Sequence, residues 1–403
     1  MSKYYRYLFP GIIALVLGFR LGAIFLIRPA PVFDEPIHLQ VAQQFGPGLP
    51  AISQLRDYPS ATGPFFYVLF GNLGALFGYN LTLLRVAVFA LALGSVYLYF
   101  RIVRRSLPAE NPMSALALLA TAPYFAALAG VFMTEHLALF LGLAALLSYL
   151  RFRAARKPTD AVLSLLFATL AVYTRIYYAF LPVAFAVADV VADRSSLAYH
   201  RPSFIVHLSS LVGATFWLVP VLAFLPTALL WRGLAPPTYQ HMYHPGFQWQ
   251  NASSLLIWTG IFFLPWVWSK PKPWHLVALL AIPMVLLAPS PGLGITRSAL
   301  KLLPQPLTLV AACLFGIIGL LWLIRLVSLV SKPESRLAAT GALLLVAGLL
   351  VSGPAVFERY LLPGIPLMLI CARPGTKPGL ALAWAGLFQL PAALGHILHI
   401  AAS

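Results

Sequence analysis

Uncharged apolar stretches long enough to cross a hydrocarbon core of about 30 Å recur from one end of this 403-residue chain to the other. No polar segment between them is long enough to form a soluble domain. The chain therefore reads as an all-α, polytopic integral membrane protein, a single domain over residues 1–403. At 61% hydrophobic and 9% charged residues it carries more apolar surface than a water-soluble core could bury. The first apolar run, 7–28, contains Arg20 and leads to Asp34 without a small-residue cleavage site, so it is expected to be a retained span rather than a signal peptide.

A formal charge of +17 invites a nucleic-acid partner, but its distribution argues against one. The cations cluster in short loops, such as Arg101, Arg104 and Arg105, then Arg151, Arg153, Arg156 and Lys157, each set separated from the next by two apolar spans. That is the positive-inside pattern, and it places the N-terminus and these loops in the cytoplasm. The candidate spans are 7–28, 82–103, 113–133, 135–150, 161–174, 176–192, 203–231, 252–269, 275–290, 306–330, 337–355, 360–371 and 379–399, about thirteen helices with the C-terminus outside. The stretch 64–78 is apolar but short and broken by glycine, and is expected to be a juxtamembrane helix in the first outer loop. Cys313 and Cys371 both fall inside spans, which disfavours a disulfide framework or a thiolate metal site.

Five of the ten acidic residues, Asp34, Glu35, Asp57, Glu135 and Glu358, lie in the outward-facing connections. The run 161–174 reaches only about 21 Å before Arg175 interrupts it, at about 1.5 Å per residue, so Arg175 should sit below the outer surface. Glu135 and His136, at the apex of a hairpin with a short second arm, should sit at similar depth. Charges there are costly unless they pair or line a hydrated cavity, and a polar cavity open to the outside is the economical inference.

Within "PVFDEPIHLQ", Pro36 disfavours the helical region for Glu35 and suits a first turn, so a short helix should start here and end at Gly46 and Pro47. One carboxylate suffices to cap it. Adjacent side chains point in different directions, so Asp34 and Glu35 are expected to divide roles, as inverting glycosyl transfer, which needs a single general base, would require; that function is worth about 10²–10⁴ in rate. Asp57 precedes Thr62, Pro64 and Tyr67 in the same loop, as a turn residue or a site residue. Arg175 and Arg359 could grip a phosphate through bidentate contacts, although an interfacial arginine often only snorkels. The outer loop "LAPPTYQHMYHPGFQWQN" offers His244, Gln248 and Trp249, a composition that suits a sugar or an aromatic belt, and a metal site at His241 and His244 is disfavoured by the lack of a nearby acid. No Walker loop and no GxGxxG opening a helix is present, so a sugar donor would have to come from the membrane, as a polyprenyl-phosphate-linked sugar would.

The series formed by Asp34, Glu35, His38, Ala42 and Gln43, then Asp57, Thr62, Pro64 and Tyr67, then Thr134 and Glu135, Arg175, His244, and Arg359 with Tyr360 resembles, in order and spacing, the dolichyl-phosphate-glucose-dependent terminal alpha-1,2-glucosyltransferase family of lipid-linked oligosaccharide assembly, within the GT-C class of membrane glycosyltransferases. The resemblance covers most of the chain. It implies a GT-C fold and inverting transfer of a hexose, with glucose the first candidate, from a polyprenyl-phosphate donor to a lipid-linked glycan acceptor, with no nucleotide, metal or other cofactor. It makes Asp34 the base, with Glu35 beside it as a second catalytic candidate. Taken with the depth and composition of the outer connections, His38, Arg175 and Arg359 are expected at the donor phosphate, and Asp57, Tyr67, Glu135, His244, Gln248, Trp249 and Glu358 at substrate. The chain departs from the family pattern at Pro36, at Ile176–Tyr178 and at Glu358, positions that bear on sugar, linkage and acceptor more than on reaction type. An Ala-, Leu- and Pro-rich chain suits a bacterial relative, which would place the site on the periplasmic side of an inner membrane; a eukaryotic one would use the lumenal side of the endoplasmic reticulum.

Two other readings stay open. A transferase like the protein mannosyltransferases and the lipid A aminoarabinose transferases also carries a carboxylate pair in its first outer loop, but usually adds a soluble domain. A transporter or flippase would place its charges near the midplane in paired halves, and neither a repeat nor that placement is visible here.

Overall fold

A computed structural model describes residues 4–26, 31–197, 213–242, 246–267, 273–287, 304, 306–351 and 358–402. These residues form helices and loops, with no strand among them. Five helices are long and apolar enough to cross a membrane: Tyr5–Leu26, Leu81–Ser106, Glu135–Ala155, Leu307–Val330 and Pro378–His399. On their length and composition the chain is an integral membrane protein. The chain divides into two compact units, Met1–His241 with Gly375–Ser403, and Met242–Pro374.

In the first unit, α1 (Tyr5–Leu26) leads through the Val32–Glu35 turn into α2 (Glu35–Phe45), followed by α3 (Ile52–Arg56) and α4 (Phe65–Phe77). As the Pro36 signal suggested, α2 starts beside Pro36 and stops at Gly46. α4 has 13 residues, about 20 Å of helix, too short to cross, and lies against α2. The approach is close at Gly71, where a Cβ would stand 2.5 Å from the Ala42 carbonyl oxygen. α5 (Leu81–Ser106) is capped by the Asn80 side chain, which accepts from the Leu83 amide, and ends on Arg104 and Arg105, whose charge suits the C-terminal dipole.

The expected single span 113–133 is instead two short helices, α6 (Pro112–Ala120) and α7 (Pro123–Leu128), followed by a non-helical stretch. Pro123 supplies no amide to the preceding turn and forces Ala122 into a non-helical ψ of 122°, so an uncharged, mostly apolar run still breaks. Gly130, with φ 85°, then turns the chain into the start of α8 (Glu135–Ala155). α8 is the innermost of the long helices, with 67% of its apolar window buried against 28% for α1, and packs between α5 and α9 (Pro158–Thr174). The chain breaks at Arg175 as expected, passes through a 3₁₀ turn, Ile176–Ala179, and continues as α10 (Phe180–Leu197). Of the expected span 203–231, the described part ends in the helices Val219–Ala223 and Leu225–Trp231.

The second unit is held by helix pairs that touch backbone to backbone. A Cβ on Gly260, in Trp249–Val267, would stand 1.9 Å from the Phe315 carbonyl oxygen, and one on Gly319, in Leu307–Val330, would stand 2.0 Å from that of Leu256. Arg336–Val351 packs on Leu307–Val330, and Gly364–Ala372 is buried along its whole length.

Candidate functional site

The end of α1, the starts of α5 and α8, and the end of α9 meet in the first unit, and the charged residues that are fully buried there cluster at that meeting. Among the described residues the buried ionised side chains are Arg20, Glu35, Arg85, Glu135 and Arg175. Glu35 accepts from four donors: Arg85 Nε to Oε1 at 3.0 Å, Arg85 Nη2 to Oε2 at 2.5 Å, the Phe132 amide to Oε1 at 2.6 Å and the Val32 amide to Oε2 at 2.8 Å. Each oxygen thus carries two donors, which is the geometry of a structural carboxylate rather than of a base. Glu35 was grouped with Asp34 as a catalytic or capping acid; it lies in the first turn of α2 and its carboxylate instead ties that turn to α5 and to the stretch before α8.

Asp34 stands in a different environment from its neighbour. It occupies the N-cap position of α2, makes no side-chain cap hydrogen bond, and is half-buried. Its charge reaches Tyr239, in the 3₁₀ turn Pro237–Met242, whose phenol is raised above the ordinary tyrosine range first by burial and then by Asp34. Phe33, just before Asp34, has φ 52°, a left-handed conformation that costs a non-glycine residue about 1 kcal/mol or more.

A second, neutral network lies alongside. His38 Nδ1 is 2.7 Å from the Tyr67 hydroxyl, which donates to Ser60 Oγ at 2.5 Å and lies 2.9 Å from Thr62 Oγ1. With the Tyr67 hydroxyl donating its proton to Ser60, the bond to His38 is made by an Nδ1–H donor in the matching tautomer. His38 was assigned to the donor phosphate and Tyr67 to substrate; both are buried and spend these atoms on each other. Gly63 holds this loop to the end of α9: its amide donates to Thr174 O at 3.1 Å, and a Cβ there would stand 2.0 Å from Tyr173 O.

Arg175 Nη2 donates to Glu135 Oε1 at 2.5 Å, with both side chains buried, so the sequence-predicted phosphate ligand and substrate acid are an ion pair. Both act electrostatically on Tyr67, which joins the pair to the His38 network. Arg20 Nε donates to the Ala129 carbonyl, and Arg20 lies in electrostatic reach of Arg85 and Glu35. The stretch 129–135 therefore touches all three arginine systems, through Ala129 O, Phe132 N and the Glu135 carboxylate. Sequence reasoning did not single out Arg85. The signal existed, since a lone cation inside an apolar run is expensive and implies a partner.

Asp57 is exposed and accepts from Thr238 twice, from its amide at 3.2 Å and its hydroxyl at 2.7 Å, which fastens the Pro237–Met242 turn to the first long loop. Arg359, Gln248 and Trp249 belong to the second unit. There Arg359 lies 5.5 Å over the Tyr360 ring, the Gln248 amide donates to Leu350 O at 3.0 Å, and Trp249 meets Phe247 edge to face at 4.8 Å. His244 and the side chain of Glu358 lie outside the described residues. Among the described residues no three His, Cys, Asp or Glu side chains converge to hold a metal ion.

No known family profile and no curated protein matches the chain. Among solved structures, ArnT from Cupriavidus metallidurans bound to undecaprenyl phosphate aligns at 17% identity with a TM-score of 0.42, over 98% of this chain and 78% of that one. Its apo state aligns at the same identity and TM-score, over 94% and 76%.

Proposed function

We propose that this chain is a GT-C-type membrane glycosyltransferase that moves a hexose, glucose on the family resemblance, from a polyprenyl-phosphate donor to a lipid-linked glycan acceptor. Asp34 is the base. In this reading the acceptor hydroxyl oxygen attacks the anomeric carbon from the face opposite the phosphate, Asp34 takes the hydroxyl proton, and the carbon–oxygen bond to phosphate breaks with its electron pair leaving on the polyprenyl phosphate. The whole chain acts as one transferase of about thirteen crossings, with the N-terminus cytoplasmic and the site on the periplasmic or lumenal side.

The observation that carries the reading is the contrast between two adjacent acids. Glu35 is fully buried and saturated by four donors, while Asp34 is half-buried and set beside a buried cluster with one guanidinium in excess over its carboxylates. A half-buried carboxylate suits proton abstraction, and an excess of buried positive charge favours an anionic leaving group nearby. The departures at Pro36, Ile176–Tyr178 and Glu358 leave the sugar, the linkage and the acceptor as the parts to be measured.

The test uses purified protein in nanodiscs with short-chain polyprenyl-phosphate hexoses and a membrane lipid extract, comparing wild type with Asp34→Asn. Sugar should enter a lipid-linked product, and the variant should lose about a hundredfold in rate while still binding donor. A wild type that moves no sugar, or a variant as fast as wild type, overturns the reading and makes transport the one to test.

A further inference from the structure

The turn that presents Asp34 is held more firmly than an ordinary loop turn. The Glu35 amide donates to Val32 O at 3.1 Å, and the Val32 amide returns a bond to Glu35 Oε2 at 2.8 Å. Between them Phe33 has φ 52° and Asp34 has φ −85° and ψ 2°. These are the signs of a type II′ turn, whose first central position ordinarily takes glycine. Phe33 is 53% exposed, so its ring is only partly packed against the fold and compensates little for the conformation. What opposes relaxation is the fixed position of Glu35, whose two oxygens are gripped in parallel by Arg85 Nε and Nη2 and held from the other side by the Phe132 amide.

We propose that Arg85 is a positioning residue for proton transfer at Asp34: by gripping both oxygens of Glu35 it keeps the Val32–Glu35 turn in a conformation that Phe33 would otherwise abandon. The inference rests on Asp34 being the base and goes beyond it by assigning a role to a residue of α5. Arginine is required because only a planar guanidinium offers two parallel donors; a lysine keeps the charge but supplies a single point contact. Small displacements of a catalytic group cost rate far more than binding, since a shift of about 1 Å can cost about a hundredfold.

The test compares wild type, Asp34→Asn, Arg85→Lys, and Arg85→Lys combined with Phe33→Gly, in the nanodisc transfer assay, with thermal unfolding as the check on folding. Arg85→Lys should keep the donor KM within about twofold and lower kcat about tenfold or more. Adding Phe33→Gly, which removes the strain the clamp opposes, should restore much of that kcat, an effect no merely structural role of Arg85 predicts. Phe33→Pro, at an exposed site where folding should survive, should lose kcat as well because its ring forbids positive φ. If Arg85→Lys does not fold, Glu35→Gln with and without Phe33→Gly replaces it, with the same expected rescue. Unchanged kcat in Arg85→Lys, no recovery on adding Phe33→Gly, or full kcat in Phe33→Pro overturns the inference while the transferase reading stands. Absence of transfer by wild type, or full rate in Asp34→Asn, overturns that reading and this inference with it.

Discussion

The Phe132 amide donates to Glu35 Oε1 at 2.6 Å, joining residues 97 positions apart. Three residues further on, Glu135 takes the Arg175 guanidinium at 2.5 Å, so one short stretch leading into the first residue of α8 couples two buried ion pairs that belong to different helices. Neither pair is isolated. A change at one end of this stretch should be felt at the turn that carries Asp34.

Removing Glu135 should cost more stability than removing an ordinary surface charge. Glu135→Ala leaves the buried Arg175 guanidinium without its carboxylate, and breaking a buried pair in this way typically costs about 3–5 kcal/mol. Glu135→Gln keeps an acceptor oxygen and should cost less. Thermal unfolding in detergent should rank wild type above Glu135→Gln and Glu135→Ala lowest; an Ala variant as stable as wild type would mean that the pair does not hold the α8–α9 junction.

Gly63 and Gly22 should respond to alanine with opposite signs. A Cβ at Gly63 meets Tyr173 O at 2.0 Å, a backbone atom that cannot swing away, so overpacking of about 1–3 kcal/mol is expected together with displacement of Ser60 and Thr62. A Cβ at Gly22, inside α1, meets nothing within 4 Å, and alanine there should be neutral or gain up to about 1 kcal/mol of helix propensity. Melting temperatures of the two variants decide the matter, and equal shifts would contradict the packing described here.

What was legible in the sequence was local. Pro36 and Gly46 bracket α2, and α9 stops at Thr174 beside Arg175, because proline, glycine and charge act on the backbone where they stand. The 113–133 run was misread as one span because hydropathy is blind to a bend inside apolar sequence, although Pro123 marked it. That Glu35, rather than Asp34, is the acid locked into the fold could not be read from adjacent letters. Glu35 is held by Arg85, 50 positions away, and by the Phe132 amide, a main-chain donor with no signature in the side-chain pattern. The pairing of His38 with Tyr67 at 2.7 Å was equally hidden, since no spacing in the sequence announces which polar residues meet.

Asp57 offers the sharpest separation between a binding acid and a fastening one. Both of its oxygens accept from Thr238, 181 positions away, and the pair is exposed. In Asp57→Asn the remaining carbonyl oxygen can still take the Thr238 amide, while the new NH₂ group can donate to the Thr238 hydroxyl oxygen, so the fastening survives without the charge. Asp57→Ala loses both bonds, each worth about 1 kcal/mol net, enough together to release the turn that carries Tyr239. Transfer rates should therefore stay within about threefold of wild type in Asp57→Asn and fall about tenfold or more in Asp57→Ala, since about 1.4 kcal/mol is tenfold. Thr238→Val, which removes only the hydroxyl, should fall between them, and combining it with Asp57→Ala should add little because both break the same link. If Asp57 instead met substrate through its charge, Asn and Ala would be equally damaging and the Thr238 variant would be silent.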